Sequence, residues 1–386
     1  MPPLLVSSLA LLLLAHVVTA APPPASGITS PINAAATTTA QAQQSIPIID
    51  IAPLISPTSN LSQRQQVANQ IGAACSDIGF FAIVNHGIPP ATIEALLASS
   101  RKFFDMPEED KMAAKSANDA EYPYGYERSE VLSKGRRLDG TVGREDECKS
   151  SAPDLKETFS LGPRLSPDGQ LARRWPPKLS SDDDFVSTHE EYYTVMEQLA
   201  HSLLRGFALT LGLEEDYFRP YFDDDHQCAL RTLNYSDTGR SLQPGQIRAG
   251  AHTDYGALTI LKTGGPGLQV RRDVATDNEQ EEEKWIDAPD LDDAFIVNVG
   301  DMMRRWTNDR WASTLHRVVA VQDTDNTGVD DRRQSVAFFV NARGDAVVEP
   351  LVTCVSEKNP AKYGPVTAGE YLLRKHLASM GSSELK

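Results

Sequence analysis

An α+β protein, mainly β in its second half, is the fold class this sequence predicts, and three observations predict it. Apolar residues at helical spacings dominate up to about residue 211. Short β-rich runs separated by Gly, Asp and Pro turns take over from about residue 228. No internal repeat runs through either part. Many short strands with regular turns read as a sandwich or barrel, and helices first with strands second suggest that the sheet carries the site.

The 386 residues suit one large domain or two ordinary ones, and a hydrophobic content of 40% is enough for a sizeable core. A formal net charge of -16 favours solubility and opposes nucleic acid or an anionic membrane surface as partner. The acidic runs at 277–283 and 182–184 read as solvated surface loops. Cys75, Cys148, Cys228 and Cys354 form no CxxC pair, which excludes a zinc ribbon or a thioredoxin motif. They read as scattered thiols, with two disulfides as the alternative in an oxidising compartment.

In chain order, Leu4 to Ala20 is an apolar run ending in Val18-Thr19-Ala20, and 1–20 resembles a secretory signal peptide, with an uncleaved signal anchor as the alternative. It carries the expectation of the secretory pathway, or an organelle reached through it, over the cytoplasm; a membrane is a partner only through such an anchor. Residues 21–45, with Pro22-Pro23-Pro24 followed by Ala, Ser, Thr and Gln, cannot bury enough apolar surface to order and read as a linker. Near Ile46 the folded chain begins with a short strand and a turn. Val67, Ile71 and Cys75 give 62–75 a helical period, as do the apolar positions of 90–104 and, in 184–211, Tyr192, Val195, Leu199, Leu203 and Phe207. Phe80 to Asn85 reads as a strand closed by the turn residues His86 and Gly87. The polar stretch 112–155 reads as loops. Strands are expected at 229–235, 258–262, 268–272, 284–288, 294–299, 315–321 and 333–341, with Gly264 to Gly267 as a turn and Trp306 and Trp311 in the core. The regions divide as 46–220, helical and mixed; 221–345, β; and 346–386, a C-terminal helical extension.

The chemistry concentrates at Ala251-His252-Thr253-Asp254-Tyr255-Gly256. On a strand, residues two apart share a face, so His252 and Asp254 can reach one ion from one side. A third ligand must come from elsewhere among the eight histidines. His189, His201 and His376 sit in helical patterns, whereas His316 opens a β run, LHRVVAV. Two histidines and one carboxylate on one face of iron leave the opposite positions free. Further on, Arg333 and Ser335 alternate onto one strand face, where a guanidinium fork and a hydroxyl can grip a carboxylate. Phe338 and Phe339 mark that strand as buried, so the arginine needs a partner, which an anionic ligand can supply.

With these residues in view, the chain resembles the plant and fungal 2-oxoglutarate/Fe(II)-dependent dioxygenases, the isopenicillin N synthase-like group. The ordered segments are IPIID at 46, GFFAIVNHGIP at 79, DLKETFSLG at 154, RWPP at 174, LRTLNY at 230, HTDYGALTILKTGGPGLQV at 252, FIVNVGDMMRRWTNDRWASTLHRVV at 295 and RRQSVAFFVN at 332. The resemblance implies a double-stranded β-helix (jelly-roll) core under an N-terminal helical layer. It implies His252, Asp254 and His316 as iron ligands, Arg333 and Ser335 on the distal carboxylate of 2-oxoglutarate, and Tyr235 touching that co-substrate. The activity it implies is hydroxylation or desaturation of a small organic molecule, with dioxygen consumed, succinate and CO2 released, and ascorbate as an accessory reductant. The alternatives are a same-fold oxidase that uses no oxo acid and a non-catalytic small-molecule binding protein.

Overall fold

The computed structural model describes residues 45–115, 124–128, 156–164, 173, 175–223, 226–235, 247–274, 282–319 and 332–379. The expected signal segment 1–20, the linker except Ser45, Cys148 and most of the polar stretch 112–155 lie outside these residues.

Strand β1 (Ile48–Asp50) leads into a short helix α1 (Ala52–Ile55) where the sequence suggests only a turn, because Pro53 suits the first turn of a helix. Helix α2 (Leu61–Asp77) starts at a capping box in which Asn60 and Gln63 each bond the other's backbone N–H. Gly79, at φ +72, has room for no Cβ because the Ala312 carbonyl oxygen would lie 2.1 Å away, and it turns the chain into β2 (Phe80–Val84). Helices α3 (Pro90–Phe104) and α4 (Glu108–Met112) follow, then β3 (Gly125–Glu127) and β4 (Glu157–Leu161). The long helix α5 (Asp183–Thr210) is capped by Asp182, whose side chain accepts from the Phe185 N–H, and it packs on α1, α2 and α3.

The β-rich half supplies β5 (Ala229–Tyr235), β6 (Ala249–His252), β7 (Leu258–Lys262), β8 (Leu268–Val274), β9 (Glu282–Asp287) and β10 (Phe295–Val299). A short helix α6 (Asp301–Trp306) precedes β11 (His316–Val318) and β12 (Arg333–Val340), and the small strands β13 (Val347–Val348) and β14 (Val366–Thr367) precede the C-terminal helix α7 (Ala368–Ser379).

An eight-stranded sheet runs β1-β2-β10-β7-β12-β5-β4-β3, and a four-stranded sheet runs β6-β11-β8-β9. The expectation of helices first and strands second is therefore met only in part: β1 to β4 come from the helical half and pair into the large sheet. Their runs are short and flanked by loops, so they show no long β period.

Successive residues of the large sheet serve two cores. Phe81, Ile83, Val297, Val336 and Phe338 face the helices in one cluster. Phe80, Ala82, Ile296, Leu233 and Tyr235 join Ala249, Leu268, Val270 and Val318 of the small sheet in the other. Burial on both faces explains why FFAIV is continuously apolar and why FIVNV is apolar except at Asn298. Trp306 and Trp311 are buried in the helix-side core, as expected. Cys75, Cys228 and Cys354 are buried free thiols. No helix among the described residues is long and apolar enough to cross a membrane.

His189, on α5, is buried against Phe185 and Phe159. Burial pushes its imidazole down to about 4, against the opposing effect of its hydrogen bond with the Phe185 carbonyl. Between the ordinary 6.5 and about 4 the unfolded chain binds a proton that the folded chain refuses. The corresponding stability is whole above that window and is lost as pH falls through it, up to about 3 kcal/mol. His189→Leu should shrink the drop in urea midpoint between pH 7 and pH 5; an unchanged drop would assign the acid sensitivity to other groups.

Candidate metal centre

Strand β6 reaches the centre with its last residue, His252, and β11 with its first, His316. Their register sets these two residues opposite each other, with ring centroids 4.3 Å apart. Because β6 ends at His252, the expectation that His252 and Asp254 alternate on one strand face is corrected: Asp254 belongs to the loop after the strand. That loop is shaped by the start of α6. The Asp301 N–H donates to the Asp254 carbonyl at 2.8 Å, the Met302 N–H to the Tyr255 carbonyl at 3.2 Å, and the Gly300 N–H to the Ala257 carbonyl at 3.0 Å. Gly300 permits this approach, since a Cβ there would lie 2.2 Å from the Gly256 carbonyl oxygen.

The Nε2 atoms of His252 and His316 each lie 3.8 Å from Oδ1 of Asp254, and the three donor atoms all fall within 4.8 Å of one another. At their far sides, Nδ1 of His252 meets the Gly250 carbonyl at 2.7 Å and Nδ1 of His316 meets the Thr314 carbonyl at 3.2 Å. A carbonyl only accepts, so each Nδ1 carries the proton and each Nε2 keeps its lone pair toward the centre. Oδ2 of Asp254 accepts from Thr259 Oγ1 at 2.6 Å and from Asn298 Nδ2 at 2.7 Å, which leaves Oδ1 for the centre.

Burial pushes the Asp254 carboxyl up, but the two imidazoles and the bonds from Thr259 and Asn298 outweigh it and hold it below the usual range. Burial pushes His252 down to about 4, reinforced by His316 and by the charge of Lys156 against the pull of Asp254. Neutral imidazoles and an ionised carboxylate are the protonation states a divalent ion requires. Two nitrogens and one oxygen form a donor set that suits iron(II).

On the large sheet, Arg333 and Ser335 are buried on β12, and Nε and Nη1 of Arg333 and Oγ of Ser335 have no hydrogen-bond partner among the described residues. Tyr235 is the register partner of Arg333, whose guanidinium lies 5.2 Å from the ring centroid. Arg248, also buried, lies 5.8 Å from the same centroid. Burial lowers the Arg333 pKa, Tyr235 opposes this, and Arg248 adds to it. An acceptor is what the buried donors of Arg333 and Ser335 lack, and for the guanidinium an anion would meet that need.

All six residues singled out by sequence thus lie on the two sheets or the loop after β6. His86 is a turn residue whose Nδ1 accepts from the Ile88 N–H, and His226 pairs with Glu197 at 2.6 Å elsewhere. Sequence reasoning missed Thr259 and Asn298, whose partner becomes visible only when β7 and β10 pair and bring Thr259 opposite Asn298. It also missed a clamp on the metal loop. Oδ1 of Asp301 accepts from Ser313 Oγ at 2.7 Å; its Oδ2 accepts from Thr253 Oγ1 at 3.2 Å and lies 2.5 Å from Nζ of Lys375, on α7. The Lys375 ammonium is also 5.4 Å from the Tyr255 ring centroid.

Residues 46–179 match the family described as non-haem dioxygenase in morphine synthesis N-terminal, and residues 225–342 match the 2OG-Fe(II) oxygenase superfamily. The chain is 30% identical to the 2-oxoglutarate-Fe(II) type oxidoreductase hxnY of Emericella nidulans, covering 88% of this chain and 91% of that protein. It is 32% identical to the 2-oxoglutarate-dependent dioxygenase tropC of Talaromyces stipitatus, covering 79% and 89%. Among solved structures, a full-length Neurospora crassa protein in complex with alpha-KG and thymine is similar at a TM-score of 0.71 and 28% identity, covering 86% of this chain and 97% of that one.

Replacing Asn298 by Leu removes one of the two donors that orient Asp254 and should weaken Fe(II) binding roughly 10–100-fold with the fold intact. Anaerobic titration monitored beside far-UV circular dichroism checks this; wild-type affinity would show that Thr259 alone suffices. Lys375→Met, which opens the clamp, should weaken Fe(II) binding in the same titration by a smaller factor.

Proposed function

Since the chain belongs to the 2OG-Fe(II) oxygenase superfamily, and is an iron(II)- and 2-oxoglutarate-dependent dioxygenase of a small organic molecule, we propose that His252, Asp254 and His316 hold the iron and that Arg333, Ser335 and Tyr235 hold 2-oxoglutarate. One observation supports this assignment above the rest: three metal-type donor atoms converge in a protein that also buries a guanidinium and a hydroxyl whose polar atoms lack partners among the described residues.

The geometry supports these roles. His252, Asp254 and His316 present two neutral nitrogens and one anionic oxygen from one side, fixed by the Gly250 and Thr314 carbonyls and by Thr259 and Asn298. Arg333 receives the distal carboxylate of 2-oxoglutarate through its fork, Ser335 adds a hydroxyl donor, and the Tyr235 ring walls that end. Phe80, edge-on to the His316 ring at 5.3 Å, and the apolar residues between the sheets limit water around the reacting groups. Bound iron(II), with 2-oxoglutarate and dioxygen, supplies the oxidising power that hydroxylates or desaturates a C–H-bearing substrate as succinate and CO2 are released.

We read the two facing sheets as a double-stranded β-helix, a reading supported by the TM-score with the Neurospora crassa protein and by the residues shared between the sheets in one core. Residues 46–220 and 221–345 are then two sequence regions of that fold, with 346–379 closing it. The assignment of 1–20 to secretory targeting is tested by a fluorescent fusion: retention in the cytosol rejects it.

Anaerobic addition of Fe(II) and 2-oxoglutarate to the purified protein should give a visible charge-transfer band, and admission of oxygen should give succinate. His252→Ala should abolish both. Arg333→Ala should raise the KM for 2-oxoglutarate on the order of a hundredfold, with kcat less affected. Full iron occupancy and turnover in His252→Ala would falsify the ligand assignment.

A further inference from the structure

Two stretches of the sequence read Asn-X-Ser with X other than proline: Asn60-Leu61-Ser62 and Asn234-Tyr235-Ser236. Such a triplet is an acceptor for an N-linked oligosaccharide in a chain that enters the secretory pathway, and a folded protein accommodates the bulky sugar only at its surface. The fold treats the two asparagines in opposite ways.

Asn234, on β5, is only 3% exposed. Its Nδ2 donates to Glu157 Oε1 at 2.7 Å, and its Oδ1 accepts from Arg332 Nε at 2.8 Å. A sugar on that nitrogen would need the space that Glu157 fills, so the folded chain leaves no room for one.

Asn60 is exposed, as are Leu61 and Ser62 after it. It caps α2 through its oxygen and its backbone alone: Oδ1 accepts from the Gln63 N–H at 3.0 Å, and the Asn60 N–H donates to Gln63 Oε1 at 2.9 Å. Nδ2 makes no hydrogen bond among the described residues. An amide nitrogen that carries a sugar leaves its carbonyl oxygen as an acceptor, so the cap survives the modification. Val67, Ile71 and Cys75 of α2 pack in the helix-side core, on the face of the large sheet turned away from the strands that carry His252 and His316. A sugar at the start of α2 therefore stands clear of the metal centre.

We propose that Asn60 is a site of N-linked glycosylation, and that it bears the sugar in the folded protein while Asn234 does not. This rests on the secretory reading of residues 1–20 given above. The donor is a lipid diphosphate-linked oligosaccharide. A bond forms between Nδ2 of Asn60 and the anomeric carbon, and the bond from that carbon to the diphosphate oxygen breaks. The diphosphate leaves with the bonding electron pair, Nδ2 loses one proton, and no atom is oxidised or reduced. The product places polar cover beside Leu61, an apolar side chain left 57% exposed.

The test uses the full chain with a fluorescent protein at its C-terminus, produced in a eukaryotic host cell. It reads where the fluorescence sits and how the protein migrates before and after treatment with peptide N-glycosidase. The wild type should lie in secretory compartments and shift downward in a single step, and treatment in heavy-oxygen water should label the peptide at residue 60. Ser62→Ala breaks the triplet but keeps the cap, and Asn60→Asp keeps a capping oxygen but has no acceptor nitrogen; both should migrate at the deglycosylated size and show no shift. Ser236→Ala should shift like the wild type. If the protein lies in secretory compartments without a shift, if the shift persists in Ser62→Ala and Asn60→Asp, or if Ser236→Ala removes it, the assignment to Asn60 is rejected while the secretory reading stands. Fluorescence confined to the cytosol rejects the secretory reading and the modification with it.

Discussion

A single carboxylate carries opposing demands at the centre of this protein. Asp254 has to be ionised though buried, and has to offer one oxygen while the other is kept away. Two hydrogen bonds to Oδ2 and two imidazoles facing Oδ1 meet both demands at once. Each of those bonds requires long-range structure. Thr259 and Asn298 are brought to Asp254 by the pairing of β7 with β10, and the two imidazoles by the pairing of β6 with β11. The second sheet exists to make that last pair meet, and the first to hold the carboxylate between them.

Charge is distributed unevenly around this arrangement. The chain as a whole is strongly acidic, yet Arg333 and Arg248 are both buried about the Tyr235 ring. A small dicarboxylate meets a repulsive exterior and an attractive interior. Such an interior favours compact anions that shed their water on entry, and the acidic exterior limits unspecific capture of larger polyanions.

Local sequence singled out the candidate ligands and the candidate anion pair because their spacing is itself chemical: His and Asp two apart, Arg and Ser two apart. The reason the first spacing works differs from the expected one. His252 ends a strand, and Asp254 reaches the centre from a loop folded onto Gly300 and Asp301. The helices α2, α3 and α5 were legible because each buries one long stripe. Strands β3 and β4 were not, being short and set in polar surroundings whose partners lie in the other half of the chain. Thr259, Asn298 and Lys375 carry no signature of their own; each acquires its role from a neighbour distant in sequence.

The tie between Asp301 and Lys375 also couples the centre to the C-terminal helix. Lys375 follows every other residue of the centre in the chain, and it grips the carboxylate that also takes Thr253 and Ser313. Loss of the C-terminal helix would remove the ammonium from Asp301 while leaving both sheets in place, so the order of the loop that carries Asp254 depends on a segment outside the sheets.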